Sequence, residues 1–249
     1  MIYPNSKEME LINAVYVALA STGVDRVSHE VSKVFDEKLA NIKEWEDSNI
    51  AVLGKEYDKY ISDSECKPHL SYVPQEFSDE AFHAYFELNG AEGIQVGITE
   101  QLHAIEEMKI ICKYRKVELF LNAVIKLLNG CEFGERFFIA RELKEVLSSV
   151  GIEIGVMKRY QDYNGLRLVN NSIKHSNKIS REVKALNIKF FKGLEYFTYY
   201  SLCCFYENNS VQIDLFVKAV ALKAGGLIDA SPEVMTRFEE SDCIDELPF

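Results

Sequence analysis

Proline is scarce in this chain, five in 249 residues, at positions 4, 68, 74, 232 and 248. None lies between Pro74 and Pro232, so the strongest helix breaker is missing from most of the sequence and long helices are expected there. Uncharged apolar runs of about 18 residues, the length a membrane helix needs, are also missing. The opening MIYPNSKEMELINAV lacks the basic stretch and small-residue cleavage site of a secretion signal. A cytoplasmic protein with no membrane partner is the expectation. Cysteine is present but unpatterned: Cys66, Cys112, Cys131, Cys203, Cys204 and Cys243 form no CxxC pair and have no histidine at zinc-finger spacing. A disulfide framework and a structural zinc are therefore not indicated, and the thiols read mostly as small buried apolar groups. GxxxxGK[ST] and GxSxG are both missing, so neither a phosphate-binding loop nor a nucleophile-elbow motif is read here. His69, beside Pro68, and His83 and His103 read as surface or core residues, and neither metal nor cofactor is expected.

What is present is apolar mass and an uneven charge. A hydrophobic fraction of 47% can build a core, and the net charge of −11 argues against a protein that coats nucleic acid with its whole surface. Seven acidic residues against one arginine crowd the segment 229–249, which reads as a solvated acidic tail. By contrast, 157–184 holds Lys158, Arg159, Arg167, Lys174, Lys178, Arg181 and Lys184 against Asp162 and Glu182 alone. A basic island lies within an acidic chain.

Periodicity predicts an all-α protein. Met9, Ile12, Tyr16 and Leu19 recur at helical spacing over 7–20. From Asp25 to Ile61 apolar residues recur at threes and fours, as one long amphipathic helix or a pair broken at Gly54. The polar, two-proline stretch 62–78 reads as the internal boundary. Beyond it the reading gives helices over 78–88 (closed by Asn89-Gly90), 99–128, 135–149, 154–176, 181–206 (closed by 207–210) and 211–222; 152–156 and 211–215 could also be short strands. Short loops between long helices make the economical architecture an antiparallel helical bundle, 78–228, with an N-terminal long-helix arm, 1–77, and the acidic tail, 229–249.

The chemistry-bearing stretch is Arg159 to Ser180. At about 100° per residue, Arg167, Asn171 and Lys174 fall nearly in line, with His175 one step aside, while Leu166, Val169 and Ile173 take the opposite face. An imidazole titrating near ~6.5 can exchange protons at neutral pH, and a neighbouring guanidinium or ammonium can hold a phosphate. The competing reading is a solvated helix face. The aromatic run Phe190, Phe191, Tyr196, Phe197, Tyr199, Tyr200, Phe205 and Tyr206, at helical spacing, reads as core or subunit contact in preference to base stacking.

Two segments resemble the HEPN superfamily of helical-bundle proteins, which includes toxin and phage-defence ribonucleases: KYRKVELFLNAVIKLLNG, 113–130, and NNSIKH, 170–175. The resemblance covers about residues 99–210. It implies a site in which an arginine, usually followed by a polar residue, precedes a histidine by four to six positions, two subunits pairing to cleave RNA without metal. Aligned on His175, the polar position falls on Asn171 and the arginine position on Asn170, with Arg167 one helical turn earlier. By that resemblance His175 and Arg167 are the catalytic candidates, and Asn170, Asn171, Lys174 and Lys178 the substrate-binding ones. Two functions stay open: a metal-independent endoribonuclease acting on RNA as a homodimer, and an inactive adaptor or regulatory subunit that binds a partner protein or RNA. An acidic nucleic-acid mimic fits the net charge but not the basic island.

Overall fold

The computed structural model describes residues 6–21, 23–63, 78–129 and 140–228. These residues form seven α-helices and two 3-10 turns with no strand among them: α1 Ser6–Leu19, α2 Gly23–Asp63, α3 Asp79–Asn129, α4 Ala140–Ser149, α5 Tyr160–Ser176, α6 Arg181–Ala185 and α7 Tyr199–Leu227. The all-α bundle is what the periodicity predicted. Two compact units emerge, one from 1–25 with 106–249, the other from 26–105. Their borders fall inside α2 and α3 rather than at the 62–78 loop, of which 64–77 lies outside the described residues, as does the tail 229–249.

Helices run through several of the positions read as helix ends or starts. α3 passes Asn89-Gly90 and Thr99 unbroken, and α7 passes Asn208, Asn209 and Ser210. The asparagines and the threonine among them share a physical reason. Asn89 Nδ2, Thr99 Oγ1, Asn208 Nδ2 and Asn209 Nδ2 each donate to the carbonyl four residues earlier, at 3.0, 2.9, 2.8 and 2.8 Å. A side chain folded back onto its own helix ceases to compete for the backbone. Gly54 likewise leaves α2 continuous.

The reverse error falls at 181–206, read as one helix. Asn187 and Gly193 adopt positive φ, 52° and 80°, ending α6 and separating it from α7. Between α6 and α7 the chain makes a 3-10 turn at Lys189–Phe191, and Tyr196 forms an isolated antiparallel bridge with Lys178, which precedes α6. A fresh start follows at Thr198, whose hydroxyl accepts from the Ser201 amide while the Ser201 hydroxyl accepts from the Thr198 amide. The aromatic density is loop packed on helix: Phe191 meets Phe197 at 5.1 Å and Phe205 at 5.3 Å between ring centroids.

In the bundle unit α1 buries Leu11, Ile12, Val15 and Ala18, α3 buries Ile110, Val117, Phe120, Leu121, Val124 and Ile125, and α7 buries Phe205, Ile213, Phe216, Val217 and Val220. A line of charge runs through this apolar core. Glu106, Lys109, Lys113 and Lys116 recur along α3 at helical spacing, and the first three are buried. Lys109 donates to Glu106 at 3.0 Å and lies 4.6 Å over the Tyr206 ring, Tyr206 donates to Asp25 at 2.6 Å, Lys113 donates to Asp214 at 2.5 Å, and Lys116 reaches the Ala20 carbonyl. Burial raises the Glu106 and Asp214 carboxyls above the ordinary range, against the pull of Lys109 and Lys113.

The 26–105 unit is an antiparallel helical hairpin. Asn49 donates to Glu87 at 3.1 Å and Gln95 to Glu46 at 2.7 Å, so positions descending along α2 meet positions ascending along α3. From α3 it buries Ala81, Ala84, Ala91, Ile98 and Leu102.

Candidate functional site

α5 carries the predicted strip and is fixed at both ends. Arg159 at its N-cap and Asn177 at its C-cap both take left-handed backbone, φ 63° and 52°, and the Asn177 amide closes the helix on the Ser172 carbonyl. Its inward face, Tyr163, Leu166, Val169, Asn170 and Ile173, is buried. Tyr163 is stacked on Phe216 at 4.7 Å and 6° and lies parallel to Tyr114 at 6.4 Å. Burial pushes both tyrosine hydroxyls far above the usual range, so they stay protonated.

On this frame the six predicted residues separate. Asn171, Lys174 and His175 are exposed along the last two turns of α5, as the strip requires. Lys174 Nζ stands 6.0 Å from the Tyr114 ring centroid, at the outer limit of cation–π attraction. Asn170 does not join them: it is fully buried, its Nδ2 directed to Asn171 Oδ1 at 3.4 Å and its Oδ1 without a hydrogen bond. That placement was readable in the spacing, since position 170 repeats the face of 163, 166 and 173. Arg167 is half-buried and turned toward the start of the helix, with Nε and Nη2 donating to Asn164 Oδ1 at 3.3 and 2.9 Å. Helical side chains lean toward their N-terminus, so Arg167 leans away from His175, eight positions and about 12 Å of rise further on. Lys178 lies past the end of α5, exposed, bound to Glu195 at 2.6 Å and 5.7 Å from the Tyr196 ring centroid. The Glu195 contact raises the Lys178 ammonium and lowers the Glu195 carboxyl.

The sequence reading missed the partners that hold the arginine and the second lysine. Asn164, three residues before Arg167, was available from helical spacing; Tyr114 and Glu195 were not, because long-range packing brings them in. Arg167 also lowers the two tyrosine hydroxyls slightly against their burial, while Glu118 raises them, so arginine, tyrosines and glutamate share one polar seam beneath the strip.

No family model, curated protein or solved structure matches the chain. Among the described residues no group of three or more His, Cys, Asp or Glu side chains could hold a metal ion, and no helix is long and apolar enough to cross a membrane.

Proposed function

We propose that this is a HEPN-like protein acting on RNA through the C-terminal end of α5, as a metal-independent endoribonuclease in a toxin or phage-defence setting. The observation that carries the reading is an exposed imidazole, His175, beside an exposed ammonium, Lys174, one turn from the exposed amide Asn171, on a helix whose other face is locked in the core. Such a group of side chains can bind a backbone phosphate and exchange a proton with the oxygens around it. In the cleavage step the 2′-oxygen of RNA attacks the adjacent phosphorus as its proton passes to a base. The phosphorus–5′-oxygen bond then breaks with a proton delivered to the leaving oxygen, leaving a 2′,3′-cyclic phosphate. His175 serves one of these roles and His175 of a second copy the other. Lys174 neutralises the phosphate, and Lys178 joins it when released from Glu195.

A second reading, an inactive adaptor that binds RNA or a partner protein, draws on a specific observation: Arg167 is committed to Asn164 and Asn170 is buried, leaving the strip without a guanidinium beside His175. Incubating the purified protein with a mixed RNA pool in EDTA, beside a His175→Ala variant, separates the two. The nuclease reading expects cleavage that vanishes in the variant. Intact RNA with a folded protein selects the adaptor.

A further inference from the structure

We propose that residues 79–105 of α3 present a docking face for a basic amphipathic helix of a partner protein. The face is independent of the α5 strip and opposite the buried side of the hairpin. Ala81, Ala84, Ala91, Ile98 and Leu102 face inward; at about 100° per residue, Phe82, Phe86, Gly93 and Gly97 cluster within about 60° on the other side. Phe82 and Phe86 are 40% and 60% exposed, with ring centroids 5.3 Å apart, and Val96, 53% exposed, borders them. Two neighbouring exposed phenylalanines are a costly surface for a helix that meets only water.

The glycines sharpen the point. A glycine in a helix interior costs about 1 kcal/mol relative to alanine, and it is usually explained by positive φ or by a close internal neighbour. Gly90, Gly93 and Gly97 have neither: a Cβ added at any of them meets nothing within 4 Å. What these positions provide is a shallow, smooth track beside the aromatic pair, into which the side chains of another helix fit.

Charge decides the occupant. On the outer side stand Asp79 and Glu100, with Glu92 at its edge, and there is no lysine or arginine between 79 and 105, whereas Glu87 turns to α2 and accepts from Asn49. A second copy laid face to face on this surface would bring acid against acid, and the chain's own tail, with seven acidic residues in 229–249, meets the same repulsion. A helix with an apolar stripe flanked by lysine or arginine satisfies both the phenylalanines and the carboxylates.

The test uses the full chain and a labelled 18-residue Leu/Lys amphipathic helix, read by fluorescence anisotropy, beside the same peptide with every Lys replaced by Glu. The Lys peptide is expected to bind and the Glu peptide not. Phe86→Ser should weaken the Lys peptide roughly tenfold. Glu92→Lys with Glu100→Lys should weaken it further and admit the Glu peptide, while Asp36→Lys on α2 changes neither. All these positions are exposed, and circular dichroism verifies that the variants stay folded. Failure of the Lys peptide to bind, or binding that is indifferent to the α3 variants, overturns the proposal. So does a concentration-dependent dimer in sedimentation that Phe86→Ser abolishes, which would give the face to a second copy.

Discussion

One helix, α3, works under two regimes. In its C-terminal half it buries Ile110, Tyr114, Val117, Phe120, Leu121, Val124 and Ile125; in its N-terminal half it buries three alanines, one isoleucine and one leucine, and leaves its phenylalanines outside. The first stretch is held by large apolar side chains inside a many-helix core. The second meets α2 among the described residues and has small side chains on its inner face, so little apolar area leaves water there. Burial, not helical propensity, separates a stretch that stabilises the fold from one free to serve recognition.

The largest test of that contrast exchanges the same chemistry in both halves. Phe120→Ala should cost about 3–5 kcal/mol, because a fully buried ring leaves a cavity, whereas Phe86→Ala should stay within about 0.5 kcal/mol; urea unfolding monitored by circular dichroism reads both. Next comes the charge line in the bundle half. Lys113→Ala strands a largely buried Asp214 and should cost about 3 kcal/mol, while Lys113→Met with Asp214→Leu should recover most of the loss. If the double variant is as unstable as the single one, the ion pair is more than a replaceable filling.

A finer test is pH. The folded protein holds a proton on Glu106 more tightly than the unfolded chain does, so this group's contribution is fully present below the ordinary glutamate range and is lost as pH rises through its raised value. The stability of the native protein relative to Glu106→Gln should therefore fall between acid and neutral pH. A difference that is flat across that window would mean that Lys109 compensates the burial completely. Smallest is Gly54→Ala in α2, at a helix-interior site with open space around it, which should raise stability by up to about 1 kcal/mol.

How much of this could be read in advance follows the same division. The helices α1 and α2 and the buried face of α5 were legible from periodicity, but the apolar faces read for α1 and α2 are only partly buried: Met9 and Tyr16 on α1 and Val27, Val34, Trp45 and Ile50 on α2 are exposed. The helix ends were not: asparagine and threonine carry opposite meanings according to whether the side chain turns back onto the carbonyl four residues earlier, and glycine, with no side chain, stands inside α2 and α3 without ending them. Lys174, Asn171 and His175 were placed on an exposed face by angle alone. Arg167 was placed in line with them correctly, but its direction depends on Asn164 and the buried tyrosine pair, and the pairing of Lys178 with Glu195 depends on a loop that was read as helix.

The two left-handed residues that bracket α5 bear on how this sequence can change over generations. Substitutions on the strip alter its chemistry and little else, so the surface can be revised one side chain at a time. Inserting or deleting a residue between Arg159 and Asn177 is another matter: with both ends pinned, it would turn part of the helix by about 100°, carrying Lys174 or His175 toward the core and Leu166 or Ile173 into water. Related chains that keep this helix should vary freely in its letters and hardly at all in its length.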